Sequence, residues 1–145
     1  MAESRRLKTR PVSIRIPAAV RVAIEEGAAR TRRDFSSIAN EMLEEAVKMR
    51  RIPGIVFADS ASGRCARVAG TNLPVYLIVQ AYRAMGQDSD RLRQGYDWLS
   101  EQELRAALAY AEAYPEEIER RIALDQEWTP ERVWTTHPFM RPPWR

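Results

Sequence analysis

The chain has 145 residues, 45% of them hydrophobic, enough for one ordinary domain or two small ones and enough apolar material to exclude global disorder. It holds one cysteine and one histidine, so an internal disulfide and multi-ligand His/Cys metal sites are excluded. No apolar run approaches the roughly 18 residues of a membrane span, and the first residues lack the apolar stretch of a secretory signal. The cytoplasm is the expected compartment, with the lone Cys65 reduced. No cofactor, metal or catalytic constellation is expected, because a serine triad would have to recruit His137 from a proline-rich segment.

The formal net charge of +3 is unevenly spread. Residues 1–33 carry nine Arg or Lys against three Glu, whereas residues 52–124 carry eight basic against ten acidic side chains. A basic arm leading into a structured element is the electrostatic footprint of nucleic-acid binding. A solvated tail is the plainer alternative.

After a basic arm over residues 1–9, Val12, Ile14 and Ile16 alternate with Ser13 and Arg15, which predicts a short strand with one apolar face. Pro17 stops it and suits a helix start. Val20, Ile24 and Gly27-Ala28 recur at helical spacing to about Arg30. A second helix follows to about Met49, with Asp34, Ser36 and Ser37 as N-cap types. Ala39, Met42, Leu43, Ala46 and Val47 share one of its faces, and Glu41, Glu44 and Glu45 the other. A lone strand leaves its backbone groups unpaired, and the unit of residues 10–51 is short for its own core. Two copies pairing their strands antiparallel remove both faults.

Arg10-Pro11-Val12-Ser13-Ile14-Arg15-Ile16-Pro17 followed by two helices resembles the ribbon-helix-helix family of bacterial repressors. The resemblance implies a homodimer with Val12, Ile14 and Ile16 in the shared core. It also implies a ribbon in the major groove of operator DNA that reads base edges with Ser13 and Arg15. Pro11 stands where the family has a polar residue. Arg5, Arg6, Lys8 and Arg10 become backbone contacts. The family also holds a phosphate at the start of the second helix, a role that falls on Ser36 and Ser37 with Arg32 and Arg33 beside them.

Residues 52–124 open with an expected β-hairpin, Ile55–Asp59 and Arg64–Val68 around Ser60-Ala61-Ser62-Gly63. An apolar helix Val75–Met85 closed by Gly86 is expected next, then a short helix capped by Asp88-Ser89-Asp90 to about Tyr96. Ser100-Glu101-Gln102-Glu103 has the form of a capping box and opens a helix to Tyr114. Pro115 starts a last one to about Leu124. Cys65 is expected as a small buried strand residue. Gly70-Thr71-Asn72-Leu73-Pro74-Val75 and the run from Tyr96-Asp97-Trp98-Leu99-Ser100 to Tyr110-Ala111 resemble the "domain of unknown function 433" family, which usually carries Arg in the place of Asn72. That resemblance implies a winged-helix-like fold and a VapB-like antitoxin whose partner is a PIN-like ribonuclease toxin. The acids at the start of the Ser100 helix argue against DNA reading by this domain and for protein binding.

Residues 125–145 hold three of the four tryptophans and four of the nine prolines. Proline density prevents a long helix, leaving an extended tail with one helical turn over Thr129–Trp134. Either the tail folds back on its own domain, or it straps a toxin through Trp128, Arg132, Trp134, Phe139, Arg141, Trp144 and Arg145. The expected fold class is therefore mainly α with short β elements. It comprises a dimerising ribbon-helix-helix unit, a hairpin-plus-helices domain and the tail. The expected function is an antitoxin that also represses its own operon, the alternative a stand-alone transcriptional regulator.

Overall fold

The computed structural model describes residues 9–60 and 63–143. The chain is mainly helical with a small three-stranded antiparallel sheet. It divides into two compact units between Leu43 and Glu44, inside a helix rather than at the end of one.

The first unit contains α1 (Ala18–Thr31) and the first half of α2 (Phe35–Arg51). The carbonyl of Pro17 accepts the first helical bond of α1, from the Arg21 amide at 3.0 Å. Asp34 caps α2 by accepting the Ser37 amide at 2.7 Å. The two helices approach closely at Gly27, where an added Cβ would lie 3.4 Å from Ile38 Cγ2. Ile24 and Ile38 are buried around that contact.

Two expectations for this unit change. Residues 10–17 are not a strand, because a strand is defined by ladder bonds and no other described segment pairs with them. Val12 and Ile14 are consequently 79% and 63% exposed. The apolar face of α2 is also largely uncovered. Met42, Leu43 and Val47 are exposed, while Glu45, placed on the polar face, is buried. Ile38, joined by the end of Met42, makes the contact with Gly27 of α1, and an ion pair described below draws Glu45 inward.

The second unit begins with the last turns of α2. Strand β1 (Ile55–Ala58) pairs with β2 (Cys65–Val68) in the register Ile55 with Val68 and Ala58 with Cys65. The hairpin was expected. Ser60 and Gly63 close its turn with reciprocal backbone bonds of 2.9 and 3.0 Å, and Gly63 adopts φ +104°, open to glycine at little cost. A third strand, β3 (Leu73–Pro74), pairs antiparallel with β2 on its other side and was not expected.

Helices α3 (Val75–Ala84), α4 (Ser89–Gly95), α5 (Glu101–Ala113) and α6 (Pro115–Glu127) follow. Their starts are written in the sequence. Asp88 accepts the amides of Asp90 and Arg91, and Ser100 and Glu103 form a complete capping box. Gly86 at φ 68° follows the end of α3. Ile55, Ala66 and Val68 from the sheet meet Val75, Ile78 and Val79 of α3, and Leu104, Ala107 and Tyr110 of α5 complete the core with Ile118 and Ile122 of α6. Each fully buried side chain of this size contributes about 1.5–3 kcal/mol. Tyr110 is wholly buried, yet its hydroxyl donates to Glu117 at 2.8 Å, so its polar end is satisfied. Cys65 is a buried strand residue, as expected.

The tail is more helical than its prolines suggested. Helix α7 (Pro130–Thr136) makes about two turns, because Thr129 accepts the Arg132 amide at 3.3 Å and Pro130 sits in the first turn, where its missing N–H is harmless. A 3₁₀ turn (Pro138–Met140) follows. No helix among the described residues is long and apolar enough to cross a membrane.

Candidate functional site

In the first unit, the candidate readout residues Ser13 and Arg15 are exposed, as is Arg10. On the alternate positions, Val12 and Ile14 are exposed and Ile16 is half-buried. Ile14 and Ile16 line a shallow groove with Arg21, Glu25 and Phe35. Around it Val20, Val22 and Phe35 are also exposed, so apolar side chains gather here without cover. Arg5, Arg6 and Lys8 lie outside the described residues.

At the α1–α2 turn the expected phosphate seat already holds a carboxylate. The Ser37 amide donates to Asp34 Oδ1, and this bond holds the Asp34 carboxyl below its ordinary range. Ser36 is exposed and Ser37 half-buried. Arg33 folds back along α2, with Nη1 donating to Glu41 Oε2 at 2.9 Å. Arg32 is exposed.

The tail presents its aromatic groups outward. Trp128 is 56% exposed and Phe139 is 84% exposed. Trp134 is half-buried, and no residue of α7 or the 3₁₀ turn is fully buried. Phe139 makes an edge contact with His137 at 5.7 Å between centroids. Arg132 and Arg141 are exposed. Trp144 and Arg145 lie outside the described residues. Among the described residues, no group of three His, Cys, Asp or Glu side chains could hold a metal ion.

Three polar features of the second unit escape sequence reasoning. Arg64 Nε donates to both oxygens of Glu45 at 2.7 and 2.8 Å, joining the end of α2 to the hairpin. Lys48 Nζ donates to Glu117 at 2.8 Å and sits 4.9 Å above the Tyr114 ring. Arg67, only 9% exposed, donates through Nη1 to the Asn72 carbonyl at 2.7 Å and to its Oδ1 at 2.5 Å.

That last contact explains the Gly-Thr-Asn-Leu-Pro run physically. Asn72 has φ 57°, a left-handed conformation that asparagine tolerates better than most residues. The Thr71 hydroxyl donates to the Val68 carbonyl and accepts the Leu73 amide, fixing the turn that delivers β3. The turn thus presents both Asn72 oxygens to a buried guanidinium that forms no ion pair among the described residues. A usable signal was the charge of Arg67 between Ala66 and Val68 in a strand, followed by a turn rich in left-handed formers.

Asn72→Ala is expected to destabilise the chain by about 2–4 kcal/mol, from one lost charge-assisted bond and a poorer left-handed residue. In an Arg67→Met background the same change should cost much less, since no buried charge is left unmet. Urea unfolding of the four chains measures this coupling. Equal losses in both backgrounds would show that Asn72 serves the turn alone.

No curated protein and no solved structure matches the chain. A family model described as "Protein of unknown function (DUF433)" matches residues 55–111, from the first residue of β1 almost to the end of α5, and the chain therefore carries a DUF433 domain over those residues.

Proposed function

We propose that the chain is an antitoxin that binds operator DNA as a homodimer through its first unit and a PIN-like ribonuclease through its second unit and tail. The observation that carries the DNA half is the segment Arg10–Pro17. It alternates apolar and polar side chains with Val12 and Ile14 exposed, lacks a strand partner among the described residues, and follows a basic arm. A second copy supplies the missing ladder and covers Val12, Ile14 and Ile16. The ribbon-helix-helix arrangement then turns Ser13 and Arg15 toward base edges, where arginine makes a bidentate pair with guanine.

The toxin half rests on the DUF433 match and on the exposed aromatic tail. In this reading the hairpin and helices form the winged-helix-like body, and Trp128, Trp134 and Phe139 anchor the partner. Arg132 or Arg141, or Arg145 beyond the described residues, reaches the partner's acidic metal-binding cluster.

The test is a binding titration with the DNA upstream of the chain's own gene. Arg15→Ala should cost about 1–3 kcal/mol on that DNA and relax preference at one base position, whereas Arg10→Ala should weaken all sequences alike. Equal, sequence-independent losses for both variants would reduce Arg15 to a phosphate contact.

A further inference from the structure

The α1–α2 turn carries two adjacent arginines, and their surroundings separate them. Helix α1 ends in a Schellman closure: the Arg33 amide donates to the Ala28 carbonyl at 3.0 Å and the Arg32 amide to the Ala29 carbonyl at 3.4 Å. This closure needs a left-handed residue at position 32, and Arg32 supplies it with φ 54° and ψ 37°. Glycine is the usual occupant, because any Cβ is penalised there. Stability alone therefore favours glycine at 32.

What arginine adds is an uncommitted charge. Among the described residues the Arg32 guanidinium makes no hydrogen bond or ion pair, and the residue is exposed. Arg33 is spent on Glu41, with Nη2 also 3.5 Å from the Ser37 carbonyl. At the start of α2 the Ser37 amide is already occupied by Asp34, whose carboxylate also repels an anion there. The Arg33 guanidinium and the Ser37 amide are thus satisfied within the chain, while Arg32 is held out at a cost to the backbone.

We infer that Arg32 is the DNA-phosphate contact of this turn, in place of the Asp34-capped start of α2. The inference rests on the DNA-binding reading above and concerns which group in the turn carries the charge to DNA. It predicts opposite effects on fold and on binding from a single change, which a purely structural role does not.

The experiment uses the full chain and a mixed-sequence DNA duplex of about three helical turns, titrated by fluorescence anisotropy between about 0.05 and 0.3 M salt. Phosphate contacts are independent of sequence, so no operator is required. Arg32→Gly should raise the melting temperature, because glycine relieves the left-handed position. The same variant should flatten the plot of log affinity against log salt by about 0.9 per contact, or about 1.8 for a two-fold pair, with an affinity loss of tens of fold near 0.1 M salt. Arg32→Lys should keep the wild-type slope. Arg33→Ala should also keep it while lowering the melting temperature, since that side chain serves Glu41.

A steep wild-type slope that survives Arg32→Gly overturns the assignment and leaves the DNA reading standing. A slope lost in Arg33→Ala but kept in Arg32→Gly overturns it in favour of Arg33. A wild-type chain with no salt-dependent DNA binding overturns the DNA reading itself, and the assignment of Arg32 with it.

Discussion

Ile14→Lys is expected to give a folded chain that neither dimerises nor binds DNA. Ile14 is 63% exposed in the single chain and lies at the edge of an apolar groove, with Val12 and Ile16 on the same alternate positions. When two copies pair across a two-fold axis, each position contributes twice. Fully burying an isoleucine is worth about 1.5–3 kcal/mol, and with 63% of each Ile14 left to cover the pair supplies about 2–4 kcal/mol to association. Two lysines in their place remove that term and set like charges in a desolvated seam, which adds further cost.

The helices should survive the change, because Ile24, Gly27 and Ile38 pack within one chain. Circular dichroism should therefore stay close to wild type, while sedimentation shows monomer at micromolar concentration. Ser13→Lys, on the other alternate face, should leave the dimer intact. A wild-type chain that sediments as a monomer under the same conditions would falsify the pairing and leave the exposed apolar side chains of the first unit without an account.

The parts of this fold that could be read from sequence are those whose cause is local. Ser100 and Glu103 satisfy each other three residues apart, Asp88 caps the next few amides, and the β1–β2 turn closes within four residues. The DUF433 match likewise falls where the Gly-Thr-x-Leu-Pro and Tyr-Asp-Trp-Leu-Ser runs stand. What stayed hidden depends on distance along the chain. Glu45 reads as solvent-facing until Arg64, 19 residues later, is placed beside it, and Lys48 meets Glu117 across 69 residues. β3 is only two residues long, too short for any periodicity.

The candidate sites divide in the same way. Alternation set Ser13 and Arg15 apart from Val12, Ile14 and Ile16, and the ribbon-helix-helix resemblance gave them their proposed roles, but no periodicity tells Arg32 from Arg33. Their difference is one left-handed torsion and one ion pair to Glu41. Thr129 as a cap and Pro130 at the first turn were legible individually. Their combined effect, a helix through Thr136 in a segment with several prolines, outweighs the breaker signal because each proline falls outside the helix interior.

Removing residues 128–145 is expected to leave the fold and DNA binding intact and to abolish binding to the partner ribonuclease. Ile118 and Ile122, the last buried side chains of the second unit's core, precede the cut, and neither α7 nor the 3₁₀ turn contains a buried residue. The melting temperature should change little for that reason. The partner, by contrast, loses its aromatic anchors. A tryptophan buries on the order of 200 Å² when covered, which at about 25 cal/mol per Å² is an upper bound near 5 kcal/mol. Trp128 and Phe139 are 56% and 84% exposed in the free chain, so more than half of each remains to be covered by a partner. Half of that bound is still nearly two decades of affinity.

Charge and anchoring should separate in a second variant. Arg141→Glu keeps every aromatic group but places a carboxylate before the acidic cluster of a PIN-like nuclease, where like charges repel. Binding by calorimetry should weaken modestly, and inhibition of RNA cleavage should weaken more, because in the proposed complex the arginine blocks the cluster while the aromatic rings hold the strap. If the truncated chain still inhibits the nuclease at full strength, the contact belongs to the DUF433 domain instead. The exposed Trp98, between α4 and α5, then becomes the next residue to replace.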